Sequence, residues 1–193
     1  MSKYSEYEYR KQPGFDMKTF EGANQAIPMK TLVIYCLDPR AAEIPHAVAE
    51  YFGDEVYPGE NILDESGNRV GHTRTLFTET NAGGRAAFAL ESMAAMDYKF
   101  SVQNVVVVHH SFCGTTTLTP ELLIEEFRDH YHADITTLFD HDSLAIMDFE
   151  TSLAHDVALL RSSPAVPKHI KLYGFFYEIS SGKLTEVVRD IPA

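Results

Sequence analysis

From Thr31 onwards, strand-like and helix-like segments alternate along the chain. That order predicts an α/β fold, with a mostly parallel central sheet of about four strands, flanking helices and a C-terminal edge hairpin. Two details strengthen the reading. The valines of Asn104-Val-Val-Val-Val-His-His110 run apolar without a break, as a strand covered on both faces requires. Prolines, glycines and capping side chains stand where helices should begin or stop.

Taken in order, residues 1–28 hold Pro13-Gly14 and Pro28 and show no clear periodicity, so they read as an N-terminal arm or a frayed terminus. One domain is expected over 29–193. Thr31 to Cys36 is its first strand, Glu43 to Phe52 a short helix closed by Gly53, and Asp54 to Tyr57 a second short strand. Pro58 to Phe77, turning at Asp64-Glu-Ser-Gly67-Asn68, reads as a loop or hairpin. Asn81 is placed to cap a helix running to about Tyr98, on which Ala86, Ala87, Leu90, Met93 and Ala94 make an apolar face. After the 104–109 strand, Thr119-Pro120-Glu121 opens a helix to about His130, and Asp148 to Arg161 forms another, stopped before Pro164. His169 to Gly174 is a fourth strand. Phe176 to Ile179, the Ser181-Gly182 turn and Leu184 to Val188 read as the hairpin.

The totals narrow the class of function. With 193 residues and 45% apolar composition, a single domain with a substantial core is expected, and a disordered chain is excluded. A net charge of −12 argues against nucleic acid as a partner. No apolar run approaches the length that spans a membrane. The polar, aromatic N-terminus lacks the order of a secretion signal, so a cytoplasmic protein is expected.

Chemistry concentrates at two strand ends. Cys36 closes the first strand and is followed by Leu37-Asp38-Pro39-Arg40; His110 closes the valine strand and is followed by Ser111-Phe112-Cys113-Gly114. Cys36 and Cys113 are the only cysteines. Neighbouring parallel strands would bring these ends together, and two thiolates with one imidazole make a three-ligand zinc site with one position open, as in catalytic metal centres. His109 is the rival ligand, but alternation along the strand faces it away from His110. A Cys36–Cys113 disulfide is the competing use of the sulfurs, disfavoured by the reducing compartment and the His-x-x-Cys context.

These residues resemble the β-class carbonic anhydrases, whose signature is C-x-D-x-R, then N-A-G, then H-x-x-C-G. Here the blocks are Cys36-Leu-Asp38-Pro-Arg40, Asn81-Ala82-Gly83-Gly84-Arg85 and His110-Ser-Phe-Cys113-Gly114. The similarity runs from about Met29 to the C-terminus. The doubled His109-His110 is most similar to a short, mainly microbial branch that also includes carbonyl sulfide hydrolases. The resemblance implies one Zn2+ per subunit held by Cys36, His110 and Cys113. It implies that Asp38 orients a zinc-bound hydroxide while Arg40 keeps Asp38 ionised, and that Asn81, Ala82, Gly83 and Gly84 help line the cleft. In some members this aspartate takes the fourth zinc position and closes the site. The family also implies a homodimer or larger assembly, with the N-terminal arm laid across the partner; tyrosines 4, 7 and 9 suit such packing.

The expected reaction is therefore zinc-dependent hydration of a small linear heterocumulene, first CO2 to bicarbonate, with carbonyl sulfide hydrolysis as the alternative on the same site. A non-catalytic zinc-binding relative is the third reading. Two departures bear on the choice. Thr80 stands where the family usually has Arg, and Phe112 where it often has Asp. Both remove polarity near the expected site, and Phe112 joins the candidate pocket residues. A drier entrance favours the less polar carbonyl sulfide.

Overall fold

The computed structural model describes residues 4–18, 29–139 and 144–192. Five strands form one sheet in the order β4-β1-β5-β6-β7, where β1 is Thr31–Cys36, β4 Leu76–Asn81, β5 Asn104–His110, β6 Lys171–Glu178 and β7 Lys183–Asp190. The first four strands are mutually parallel, and β7 returns antiparallel on β6. Every residue of β5 is buried, as a central strand between two helical layers must be. One apolar cluster packs Leu32, Ile34, Val105 and Val107 against Met93, Leu153 and Leu160; a second packs Val33, Val106, Val108 and Phe175 against Ile44 and Val48.

The helices follow their caps. Helix α1 (Ile44–Phe52) has Pro45 in its first turn and ends on Gly53 at φ 73°, where the left-handed conformation suits glycine. Thr119 accepts the Leu122 N–H to start α3 (Pro120–Tyr131), and Asp148 accepts the Thr151 N–H to start α4 (Phe149–Ser162).

Four expectations need correction. No strand forms at 54–57; Glu55 instead turns inward and accepts hydrogen bonds from Thr31 and Thr75, tying the start of β1 to the residue before β4. The outer neighbour of β1 is β4, which begins at the end of the stretch read as loop or hairpin, so the sheet has five strands. The rest of that stretch does hold a hairpin, β2 (Asn61–Leu63) on β3 (Arg69–His72). No helix starts at Asn81. Gly83 at φ 77° and Gly84 at φ 65° break the chain into short 3-10 turns, and α2 begins only at Leu90, ending at Phe100. Towards the C-terminus, the fourth strand and the first arm of the hairpin are one continuous strand, β6.

Of the expected arm, residues 1–3 and 19–28 lie outside the described residues. Ser5–Tyr7 and Tyr9–Lys11 make two single turns with Tyr4, Tyr7 and Tyr9 exposed. Among the described residues no helix is long and apolar enough to cross a membrane.

Candidate metal centre

β1 and β5 are neighbours in parallel register, so their C-terminal ends deliver Cys36 and His110 to one point. The chain after β5 then folds back. Ser111 donates its N–H to the Tyr177 carbonyl (3.0 Å) and accepts from the Ile179 N–H (3.0 Å), pinning the loop to β6. Phe112 adopts φ 54°, and the reversal swings Cys113 under His110. The ligand atoms of Cys36, His110 and Cys113 all lie within 4.8 Å of one another, and all three side chains are buried.

The donor set fits a metal ion. The His110 Nδ1 lies 2.9 Å from the Ser111 carbonyl, which can only accept, so Nδ1 carries the proton and Nε2 its lone pair. That Nε2 is buried with no hydrogen-bond partner. The two sulfurs are 3.7 Å apart. A tetrahedral ion bonded to both at about 2.3 Å would separate them by about 3.8 Å. Both sulfurs are free thiols rather than a disulfide.

Two sulfurs at this distance share one proton. Cys36 is pushed up to about 12, first by its hydrogen bond to Cys113 and then by burial, with the neighbouring His110 side chain and then the backbone N–H groups of Asp38 and Gly83 pulling the other way. The same bond holds Cys113 down at about 6 against its burial, helped by the Thr115 hydroxyl at 3.0 Å. One thiolate therefore stands ready at neutral pH, and a bound cation would take the second proton's place.

Asp38 lies beside this cluster, paired with Arg40. The guanidinium forks onto the carboxylate, Nε to Oδ1 at 3.0 Å and Nη2 to Oδ2 at 2.6 Å, and the Arg40 backbone N–H adds 2.9 Å to Oδ1. These bonds hold the Asp38 carboxyl down at about 2. Arg40 Nη2 also donates to the Phe112 carbonyl (3.0 Å), so one side chain joins the loop after β1 to the loop after β5. Beside the second loop, Phe112, Thr116, Ile146, Met147, Phe149 and Phe176 line a mainly apolar groove of about 430 Å³.

No protein-family model matches the chain. Individual relatives do. It is 26% identical to beta-carbonic anhydrase 1 of Mycobacterium tuberculosis over 98 residues, 51% of this chain and 58% of the relative. It is 23% identical to the carbon disulfide hydrolase of Acidithiobacillus thiooxidans over 146 residues, 68% of this chain and 71% of the relative. The crystal structure of carbonic anhydrase from Streptococcus mutans superposes with a TM-score of 0.60 at 27% identity, covering 84% of this chain and 86% of that one. In sequence and in fold the chain is similar to the β-carbonic anhydrases and to a related hydrolase.

The other candidate residues fall as follows. His109 does face away from His110, buried on the opposite side of β5 with Nε2 3.0 Å from the Ser152 hydroxyl. Burial, with Arg85 nearby, holds His109 down at about 3 and therefore neutral. Asn81 clamps the turn after β4, its Oδ1 taking the Arg85 N–H at 2.7 Å and its Nδ2 giving to the Arg85 carbonyl at 3.1 Å. The close approach at Gly84 is to protein rather than ligand. A Cβ there would sit 2.7 Å from the Tyr35 carbonyl carbon and 2.8 Å from the Cys36 nitrogen. At Gly83 a Cβ would meet the Thr115 hydroxyl at 2.9 Å. Phe112 is 84% exposed and Thr80 is exposed on the edge strand. Sequence reasoning gave no role to Thr115, Arg85 or Asp156. A hydroxyl two residues after a thiolate was the available signal for Thr115. For the Arg85–Asp156 pair there was none.

Proposed function

We propose that this protein is a zinc enzyme that adds water to a small linear heterocumulene, with CO2 hydration to bicarbonate as the main reaction. The observation that carries the reading is the buried, unpartnered Nε2 of His110 turned towards two sulfurs set 3.7 Å apart. Cys36, His110 and Cys113 would hold the ion, and the sulfur and nitrogen donors favour zinc over magnesium or calcium. When bound, zinc supplies a Lewis acid that makes a water molecule nucleophilic near neutral pH.

The chain's own residues do the rest. Asp38, two residues after Cys36 and held ionised by Arg40, accepts the O–H of the nucleophilic water and leaves an oxygen lone pair for the substrate carbon. Arg40 keeps that carboxylate from turning towards the ion. The new C–O bond forms as one C=O π pair moves to oxygen, giving bicarbonate and a proton. The double backbone anchorage of Ser111 keeps the His110 ring in place.

Carbonyl sulfide hydrolysis is the second reading, favoured by the apolar groove beside Phe112. In it, water oxygen adds to the same carbon and the C–S bond breaks, releasing CO2 and hydrogen sulfide. A relative named for carbon disulfide supports sulfur-bearing substrates in this fold. We further propose a cytoplasmic homodimer, in which a second copy covers exposed apolar side chains such as Phe112 and Met147.

Purified protein with its metal content measured should be assayed with both substrates. Stoichiometric zinc and bicarbonate formation faster than sulfide release supports the first reading, and the reverse order supports the second. Stoichiometric zinc without turnover of either substrate would leave a non-catalytic relative.

A further inference from the structure

Behind the proposed centre, on the α4 side of β5, lies a charged pair that the reaction does not use. Arg85 is 2% exposed and Asp156 is fully buried. Arg85 Nε reaches Asp156 Oδ2 at 2.9 Å and Oδ1 at 3.2 Å, and Nη2 reaches Oδ1 at 3.0 Å. Its remaining nitrogen, Nη1, donates to the Ala145 carbonyl. The Arg85 backbone is meanwhile gripped by the Asn81 amide on both sides of the Ala82–Gly84 turn. One residue therefore joins the turn after β4, helix α4 and the segment around Ala145.

Both ends of this connection press on the ligands. Gly84 lies against the Tyr35–Cys36 peptide, and Gly83 is wedged between the Thr115 hydroxyl and Ile146. Thr115 in turn bonds the Cys113 sulfur. An ion pair is a costly way to fill an interior, and apolar side chains of similar volume hold a core together at least as well. Apolar atoms cannot hold a backbone carbonyl, however, or fix two segments at set angles as the planar guanidinium does.

We propose that Arg85, locked by Asp156, is a positioning residue for the thiolate centre: it seats the Ala82–Gly84 turn against Cys36 and Thr115 and ties down the Ala145–Met147 segment beside it. The proposal rests on the reading of Cys36, His110 and Cys113 as metal ligands.

Cobalt(II) is the probe, because its sulfur-to-metal charge-transfer bands report the geometry of both sulfurs without any turnover. Wild-type protein is compared with the double variant Arg85→Met/Asp156→Leu, which removes both charges together and so leaves neither buried alone. Arg85→Lys is the second variant, able to pair with Asp156 but not to serve Ala145 as well. Expected are cooperative unfolding in both, cobalt affinity at least tenfold weaker, and displaced or weakened charge-transfer bands. Should the double variant not fold, Arg85→Lys decides by the same readings. A purely structural pair would change only the melting temperature, and variants with wild-type bands and affinity would overturn the positioning role alone. Wild-type protein without such bands would overturn the ligand assignment and this proposal together.

Discussion

Replacing Arg40 by methionine should slow the enzyme without emptying its metal site. The substitution keeps the aliphatic stem and removes the guanidinium fork on Asp38, leaving that carboxylate only the backbone N–H of residue 40 at 2.9 Å. A sheltered hydrogen bond to a charged group contributes about 1.5–3 kcal/mol. The Arg40 side chain is 52% exposed, so solvent weakens the fork and its loss acts mainly through the orientation of Asp38. A misplaced reacting group can cost about 100-fold, and Asp38 keeps its backbone bond, so a fall in kcat/KM of roughly tenfold is expected. The charge state at neutrality is not the cause. Without Arg40 the Asp38 carboxyl returns from about 2 towards the ordinary carboxylate range and is still ionised at pH 7. On the acid side the sign is fixed: activity that needs ionised Asp38 is lost at a higher pH in the variant. Stopped-flow CO2 hydration and sulfide release from carbonyl sulfide, each across pH with zinc content measured, provide the assay. A variant within twofold of wild type, or one that has lost its zinc, would refute the role given to Arg40.

Other outcomes follow from the same geometry. Metal uptake should displace one proton from the sulfur pair between pH about 6 and about 12 and two below about 6, with the His110 proton added wherever that imidazole, raised above its ordinary value, is still protonated, so affinity rises with pH; calorimetry in buffers of different ionisation heat measures the count. Gly84→Ala should destabilise by about 3 kcal/mol or more, since the new Cβ meets backbone atoms at 2.7–2.8 Å and φ is 65°; denaturant titration checks it. Phe112→Gly should remove about 1 kcal/mol of left-handed strain and raise Tm by about 2–4 °C. It should also lower the ratio of carbonyl sulfide to CO2 turnover, because an apolar wall of the groove is gone; a fall in Tm would instead show that the ring packs.

Much of the fold could be read from the chain because its signals were local. The unbroken valines of β5, the Thr119-Pro120 start of α3 and the Asp148 cap of α4 are each decided by a few neighbouring residues. β4 was missed because an edge strand needs only one buried face, and Leu76-Phe-Thr-Glu-Thr-Asn81 mixes polar and apolar residues as a loop does. The false strand at 54–57 owes its apparent apolarity to residues flanking Glu55, whose burial depends on two threonines distant in sequence. The expected helix at Asn81 failed for a backbone reason, two consecutive glycines at positive φ. At the site, the three metal-ligand candidates and the Asp38–Arg40 pair were legible because strand ends in a parallel sheet converge and the residue types are rare. Arg85 was not, since an arginine in sequence reads as exposed until its partner 71 residues away is known.

The central claim is that two sulfurs and one imidazole from separate strands grip a single zinc ion beside a held carboxylate. X-ray absorption at the zinc edge of the purified protein tests it most directly. Two sulfurs at about 2.3 Å and two lighter atoms at about 2.0–2.1 Å, one of them imidazole nitrogen, are expected. A zinc shell with one sulfur or none, or full turnover by protein that holds no metal, would contradict it.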